Sequence, residues 1–93
     1  MNTLTVVIPA YNADQHIGAT IAALCEAVAR IPAVETEVVL VDDGSTDATA
    51  ARAEQAAEGR VPLRVVRQAN AGRFLARRRG LEEAIGETVL LLD

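Results

Sequence analysis

The chain alternates between short unbroken apolar runs and longer stretches in which apolar residues recur every three or four positions. Residues 4–8 form an apolar, β-branched run closed by Pro9, and residues 37–41 form a second that leads into Asp42-Asp43-Gly44-Ser45. Residues 63–66, interrupted by Arg64, and residues 87–92, apolar after Glu87 and Thr88, give a third and a fourth strand-like stretch. Runs of this length and composition predict buried strands. Between the first two, Ile17, Ile21, Leu24 and Val28 fall at helical spacing, so a helix is expected over 15–31, closed by Pro32 and capped by Asn12 or Asp14. A second helix is expected to start at a Ser45 or Thr46 cap and run to Glu58, with Asp47 at its positive end and Gly59 as terminator. A third runs over about 73–85, before Gly86.

The resulting order is β-α-β-α-β-α-β. Continuous apolar strands separated by helices predict an α/β fold, a parallel sheet covered on both faces with right-handed, Rossmann-like crossovers. Such sheets bind ligands outside the carboxyl ends of their strands. That rule singles out residues 9–12, 42–46 and 68–73, and Asp93.

Composition narrows the class. A chain of 93 residues is one small domain's worth, and 51% hydrophobic with 24% charged residues excludes disorder by charge excess. No apolar run approaches the roughly 20 residues that span a bilayer, and the first ten residues lack the basic start of a secretory signal. The net charge of −4 argues against a nucleic-acid partner. A lone Cys25, read as small core filler, does not point to an oxidising compartment, so a cytoplasmic location is the default. Much of the hydrophobic fraction is Ala, which leaves the core to the Val, Leu and Ile runs. Asp93 follows the fourth run directly, which predicts that residues 1–93 are part of a longer domain.

The strand ends carry the candidate chemistry. Asp42 and Asp43 are adjacent in an extended segment, so their side chains point to opposite faces. One is expected to meet a ligand, as a strand-end acid does in dinucleotide folds, while one carboxylate braces the Gly44-Ser45 turn in the plainer reading. Tyr11 offers a ring for stacking on a base, or simply packs on its own helix. Asn12 reads as a helix cap. Arg73, Arg77, Arg78 and Arg79 form the dense basic cluster beside Asn70-Ala71-Gly72. Arg78 and Arg79 have i,i+4 partners in Glu82 and Glu83, which leaves Arg77 as the better phosphate candidate. His16, at the start of the first helix, reads as exposed and idle. Asp93 alone does not make a metal site, although hard divalent cations favour carboxylate oxygen.

Taken together, Val-Val-Ile-Pro-Ala-Tyr-Asn at 6–12, Val-Asp-Asp-Gly-Ser-Thr-Asp at 41–47, Asn-Ala-Gly-(x3)-Ala-Arg-(x2)-Gly at 70–80 and the final Leu-Leu-Leu-Asp resemble the family 2 glycosyltransferases. The resemblance covers nearly the whole chain in the family's order. It implies the N-terminal, nucleotide-sugar-binding part of a GT-A fold, the acceptor-binding half lying outside these residues. It implies inverting transfer from a UDP- or GDP-sugar to an acceptor hydroxyl, saccharide or lipid-linked. Carried over by position, Pro9, Ala10 and Tyr11 line the base pocket, with Tyr11 stacking. Asp43 hydrogen-bonds the base with Asp42 in support, and Asn70, Gly72 and Arg77 lie near the nucleotide. Asp93 is the first acid of an Asp-x-Asp motif for Mg²⁺ or Mn²⁺, held directly or through water. The second acid and the catalytic base are expected beyond residue 93, so the 93-residue chain alone is expected to be inactive. Arg78 departs from the Asn often found there. The full-length protein is expected in the cytoplasm or at the inner face of the membrane. The competing reading is a non-catalytic nucleotide-binding fragment or a truncated, inactive product.

Other enzyme classes fit less well. A haloacid dehalogenase-type phosphatase wants Asp-x-Asp after its first strand, a nicotinamide dehydrogenase wants Gly-x-Gly-x-x-Gly there, and a receiver domain wants a late Lys. The chain has none of these.

Overall fold

The computed structural model describes residues 2–92. Over them the order is β1 (Asn2–Ala10), α1 (Ile17–Ala29), β2 (Val34–Asp43), α2 (Thr49–Ala57), β3 (Leu63–Gln68), α3 (Arg73–Glu83) and β4 (Thr88–Leu91). The strands form one sheet in the order β3-β2-β1-β4, every pair parallel. The alternating α/β pattern thus gives the expected Rossmann-like sheet.

Side-chain alternation divides the core in two. Val6, Ile8, Val38 and Leu40 pack on one face against Ile17, Ile21 and Cys25 of α1 and Ala53 and Ala57 of α2. Val7, Val39, Val41 and Val66 pack on the other against Ala76 of α3. Gly80 lets α3 lie very close to the sheet, since a Cβ there would overlap Val7 Cγ1 and stand 3.2 Å from Val41 Cγ2. Cys25 is buried, and His16 is exposed at the start of α1.

Two expectations about the elements fail. The fourth strand was expected to be buried, yet β4 pairs only with β1 among the described strands and leaves Val89, Leu90 and Leu91 exposed. Composition reports what a strand is made of, whereas burial depends on which elements flank it. The helix caps also differ. His16 stands at the N-cap of α1 and Ala48 at that of α2, neither with a side-chain capping bond. Asn12, Asp14, Ser45 and Thr46 bond instead between the two loops. Asp47 does stand at the start of α2, where its carboxylate accepts from Thr49 N–H at 3.0 Å and from the Thr49 hydroxyl.

Candidate functional site

The register Ala10↔Asp42 and Asp43↔Gln68 brings the carboxyl ends of β1, β2 and β3 level. The loops that follow them enclose a cleft of about 260 Å³, lined by Pro9, Ala10, Tyr11, Asp43, Asn70, Gly72, Arg73 and Ala76. Six residues expected at the site from sequence therefore meet in one place. Tyr11 leaves half of its surface (52%) open at the mouth.

Asp42 and Asp43 are both buried and separate as strand alternation requires. Asp42 turns away from the cleft: Oδ1 accepts from Ser45 N–H at 3.0 Å, and Oδ2 pairs with Arg67 Nη1 at 3.4 Å. It is the acid that braces the turn. Asp43 turns toward the start of α3. Its Oδ1 accepts from Gln68 Nε2 at 2.9 Å and Ala71 N–H at 2.8 Å, and its Oδ2 from Gly72 N–H at 3.0 Å. Burial raises the pKa of Asp43, but these bonds from Gln68, Ala71 and Gly72 outweigh it and hold the carboxyl below the ordinary aspartate value. Each carboxylate oxygen accepts about two hydrogen bonds, so Oδ2 keeps capacity for one further donor.

The β3–α3 loop is fixed by the same residues. Asn70 Nδ2 donates to the Asp43 carbonyl at 3.1 Å. Gly44, at φ +77°, lets that loop come so near that a Cβ would stand 2.7 Å from Asn70 N. A side chain here would meet both a left-handed backbone and another backbone atom. Gly72, at φ +95°, then turns the chain into α3.

Arg77 is half-buried on α3 and does not line the cleft, where Arg73, one turn earlier, stands. Arg78 and Arg79 pair with Glu82 and Glu83 at 3.8 and 3.5 Å, as their spacing predicts. Asp93 lies outside the described residues. Among those residues no group of three or more His, Cys, Asp or Glu side chains is arranged to hold a metal ion. Gln68 and Arg73 went unassigned from sequence. The strand-end rule marked their loop, but which side chains turn inward depends on the register of β3 and the angle of α3.

The model of glycosyl transferase family 2 matches residues 5–93. The chain belongs to that family. A curated relative, the dodecaprenyl-phosphate galacturonate synthase of Rhizobium johnstonii, is 36% identical over 93 residues, covering 97% of this chain and 27% of that protein. Among solved structures, S. aureus TarS 1–349 in complex with UDP-GlcNAc superposes with a TM-score of 0.84 at 31% identity, covering all of this chain and 26% of that one. Glucosyl-3-phosphoglycerate synthase from Mycobacterium tuberculosis, in complex with Mg²⁺ and UDP, gives 0.75 at 26% identity, covering 99% of this chain and 33% of that one. The chain thus has a GT-A-type fold and spans about a quarter of the length of the curated relatives it matches. No helix among the described residues is long and apolar enough to cross a membrane.

Proposed function

We propose that residues 1–93 are the donor-binding part of an inverting glycosyltransferase that takes a UDP- or GDP-sugar. The observation that carries this reading is the placement of Asp43 beside Tyr11 in one cleft, its carboxylate ionised by Gln68, Ala71 and Gly72 and with room for one more donor. A base N–H fits that capacity. Tyr11 stacks on the base, while Pro9 and Ala10 form the floor. Asn70 and Gly72 shape the rim, with Arg73 and Arg77 on α3 beside the diphosphate. Asp42 acts indirectly, holding the turn after Asp43.

In the reaction the acceptor hydroxyl oxygen attacks the anomeric carbon, the bond from that carbon to the diphosphate oxygen breaks, and the hydroxyl proton passes to a carboxylate base. That base belongs to the acceptor-binding half, beyond residue 93. A divalent ion, Mg²⁺ or Mn²⁺, supplies charge neutralisation for the leaving diphosphate when bound. The described residues do not by themselves provide its ligands, and Asp93 is the carboxylate in this chain proposed to face it. The Mg²⁺ and UDP bound by the mycobacterial structure support the ion and the nucleotide, and the dodecaprenyl phosphate on which the Rhizobium relative is named to act supports a lipid-linked acceptor.

Calorimetric titration with UDP and GDP in the presence of Mn²⁺ tests the reading. Asp43→Ala should weaken nucleotide binding at least tenfold, as expected for a lost bond to a charged acceptor, about 1.5–3 kcal/mol. Equal affinity in the variant would remove Asp43 from base recognition.

A further inference from the structure

Asn12 is the one described non-glycine residue with positive φ, at +47°. A left-handed backbone is uncommon outside Gly and persists where surrounding contacts hold it. Those contacts all reach across to the loop after β2. Asn12 N–H donates to Ser45 Oγ at 2.9 Å, and Asn12 Oδ1 accepts from Thr46 N–H at 2.9 Å and from the Thr46 hydroxyl at 3.3 Å. The next two amides continue the pattern: Ala13 N–H donates to Thr49 Oγ1 at 2.8 Å and Asp14 N–H to Asp47 Oδ2 at 3.2 Å. Three successive backbone donors of the β1–α1 loop are thus taken by side chains of residues 45–49.

These bonds close a ring. From the paired residues Ala10 and Asp42, one arm runs through Tyr11 to Asn12 and the other through Asp43 and Gly44 to Ser45. The two residues on which base recognition is proposed to depend each occupy one arm. Stacking and a hydrogen bond to the same planar base require their separation to be fixed within a fraction of an ångström. Tyr11, half exposed, stands directly before the left-handed turn at Asn12.

We infer that Asn12 and Ser45 are positioning residues, a clasp between the first two strand ends that sets Tyr11 against Asp43 for a nucleoside diphosphate. This rests on the reading of the cleft as a nucleotide site. The test titrates UDP and GDP, with Mn²⁺, into the unaltered protein and into Asn12→Ala, Asn12→Asp, Tyr11→Ala and the Asn12→Ala/Tyr11→Ala double variant. Asn12→Ala should weaken binding about tenfold, the equivalent of one or two lost hydrogen bonds. Asn12→Asp keeps an acceptor oxygen and tolerates the left-handed backbone, so it should recover affinity to within about threefold. With Tyr11 already removed, Asn12→Ala should cost less than about twofold more, since coupled residues are not additive. Unchanged affinity in Asn12→Ala, or the full tenfold loss in the absence of Tyr11, overturns the clasp's positioning role. Should Asn12→Ala not fold, Ser45→Ala opens the same clasp without altering residue 12, and the same outcomes decide. No binding by the unaltered protein overturns both the nucleotide reading and the inference, whereas binding that is indifferent to the clasp overturns the inference alone.

Discussion

β2 and β4 are built from the same kinds of residue, and their surroundings separate them. In β2, Val38 and Leu40 are fully buried under α1 and α2 while Val39 and Val41 are fully buried under α3. β4 repeats that composition with Val89, Leu90 and Leu91, which share faces with Thr5, Val6 and Val7 and remain exposed. An apolar run therefore states how a strand can be stabilised, and flanking elements decide how much of that stabilisation is realised. β2 also ends in two buried acids whose every described bond reaches a neighbouring loop or strand, so the best-packed strand is also the one that organises the cleft.

The largest effect that breaks the comparison comes from truncating one leucine in each strand. Leu40→Ala, at a site with no exposure, should cost about 2–5 kcal/mol, whereas Leu90→Ala, at 48% exposure, should cost under about 1 kcal/mol. Urea unfolding midpoints give both values, and equal costs would mean that β4 is as deeply packed as β2. A medium effect attacks the helix that seals β2. Gly80→Ala gains about 1 kcal/mol of helix propensity but drives a methyl into Val7, which is buried and cannot yield, and such overpacking costs about 1–3 kcal/mol. The overlap with Val7 and the tight approach to Val41 put the cost in the upper part of that range, so a net loss of up to about 2 kcal/mol is expected in the same measurement. A stabilised variant would show that α3 can lift from the sheet.

The smallest effect depends on pH and concerns the end of β2. The folded pKa of Asp43 lies below its unfolded value, near 3.9, so its ionised form favours the fold. That contribution is present above the unfolded pKa and disappears as pH falls through the folded one. The stability gap between the unaltered protein and Asp43→Asn should accordingly hold from neutral pH to about 5, begin to narrow near about 4 and close only as the pH falls through the lower, folded value. A gap that persists unchanged at pH 3 would show that the Gln68, Ala71 and Gly72 bonds do not depend on the charge.

Much of this was legible in advance. The β-branched runs at 4–8 and 37–41 read as strands, and alternation alone put Asp42 and Asp43 on opposite faces. Arg78 and Arg79 had their partners four residues away, a distance a helix always closes. What could not be read was contact between segments far apart in sequence. Asn12 and Ser45 each had a local use as a helix cap, and local readings favour local bonds. Their bond to each other arises because parallel pairing of β1 and β2 sets the two loops side by side. Arg73 rather than Arg77 lines the cleft for a similar reason, since which turn of α3 meets the cleft depends on how that helix packs on the sheet.

The central place of β1 also bears on the order of assembly. β4 pairs with β1 across 84 residues, whereas β2 pairs with it across 32. Gly86 N–H reaches the Thr5 hydroxyl and Glu87 N–H the Thr3 hydroxyl, so the approach to β4 is tied to the start of β1. Closing the longer loop adds only about 0.9 kcal/mol of entropy cost, too little to keep β4 away. During synthesis β1, β2 and β3 emerge before β4, so their pairing does not have to wait for it. The loops carrying Tyr11, Asn12, Asp43 and Ser45 follow the paired ends of β1 and β2, so their meeting does not require β4, which pairs with the other edge of β1.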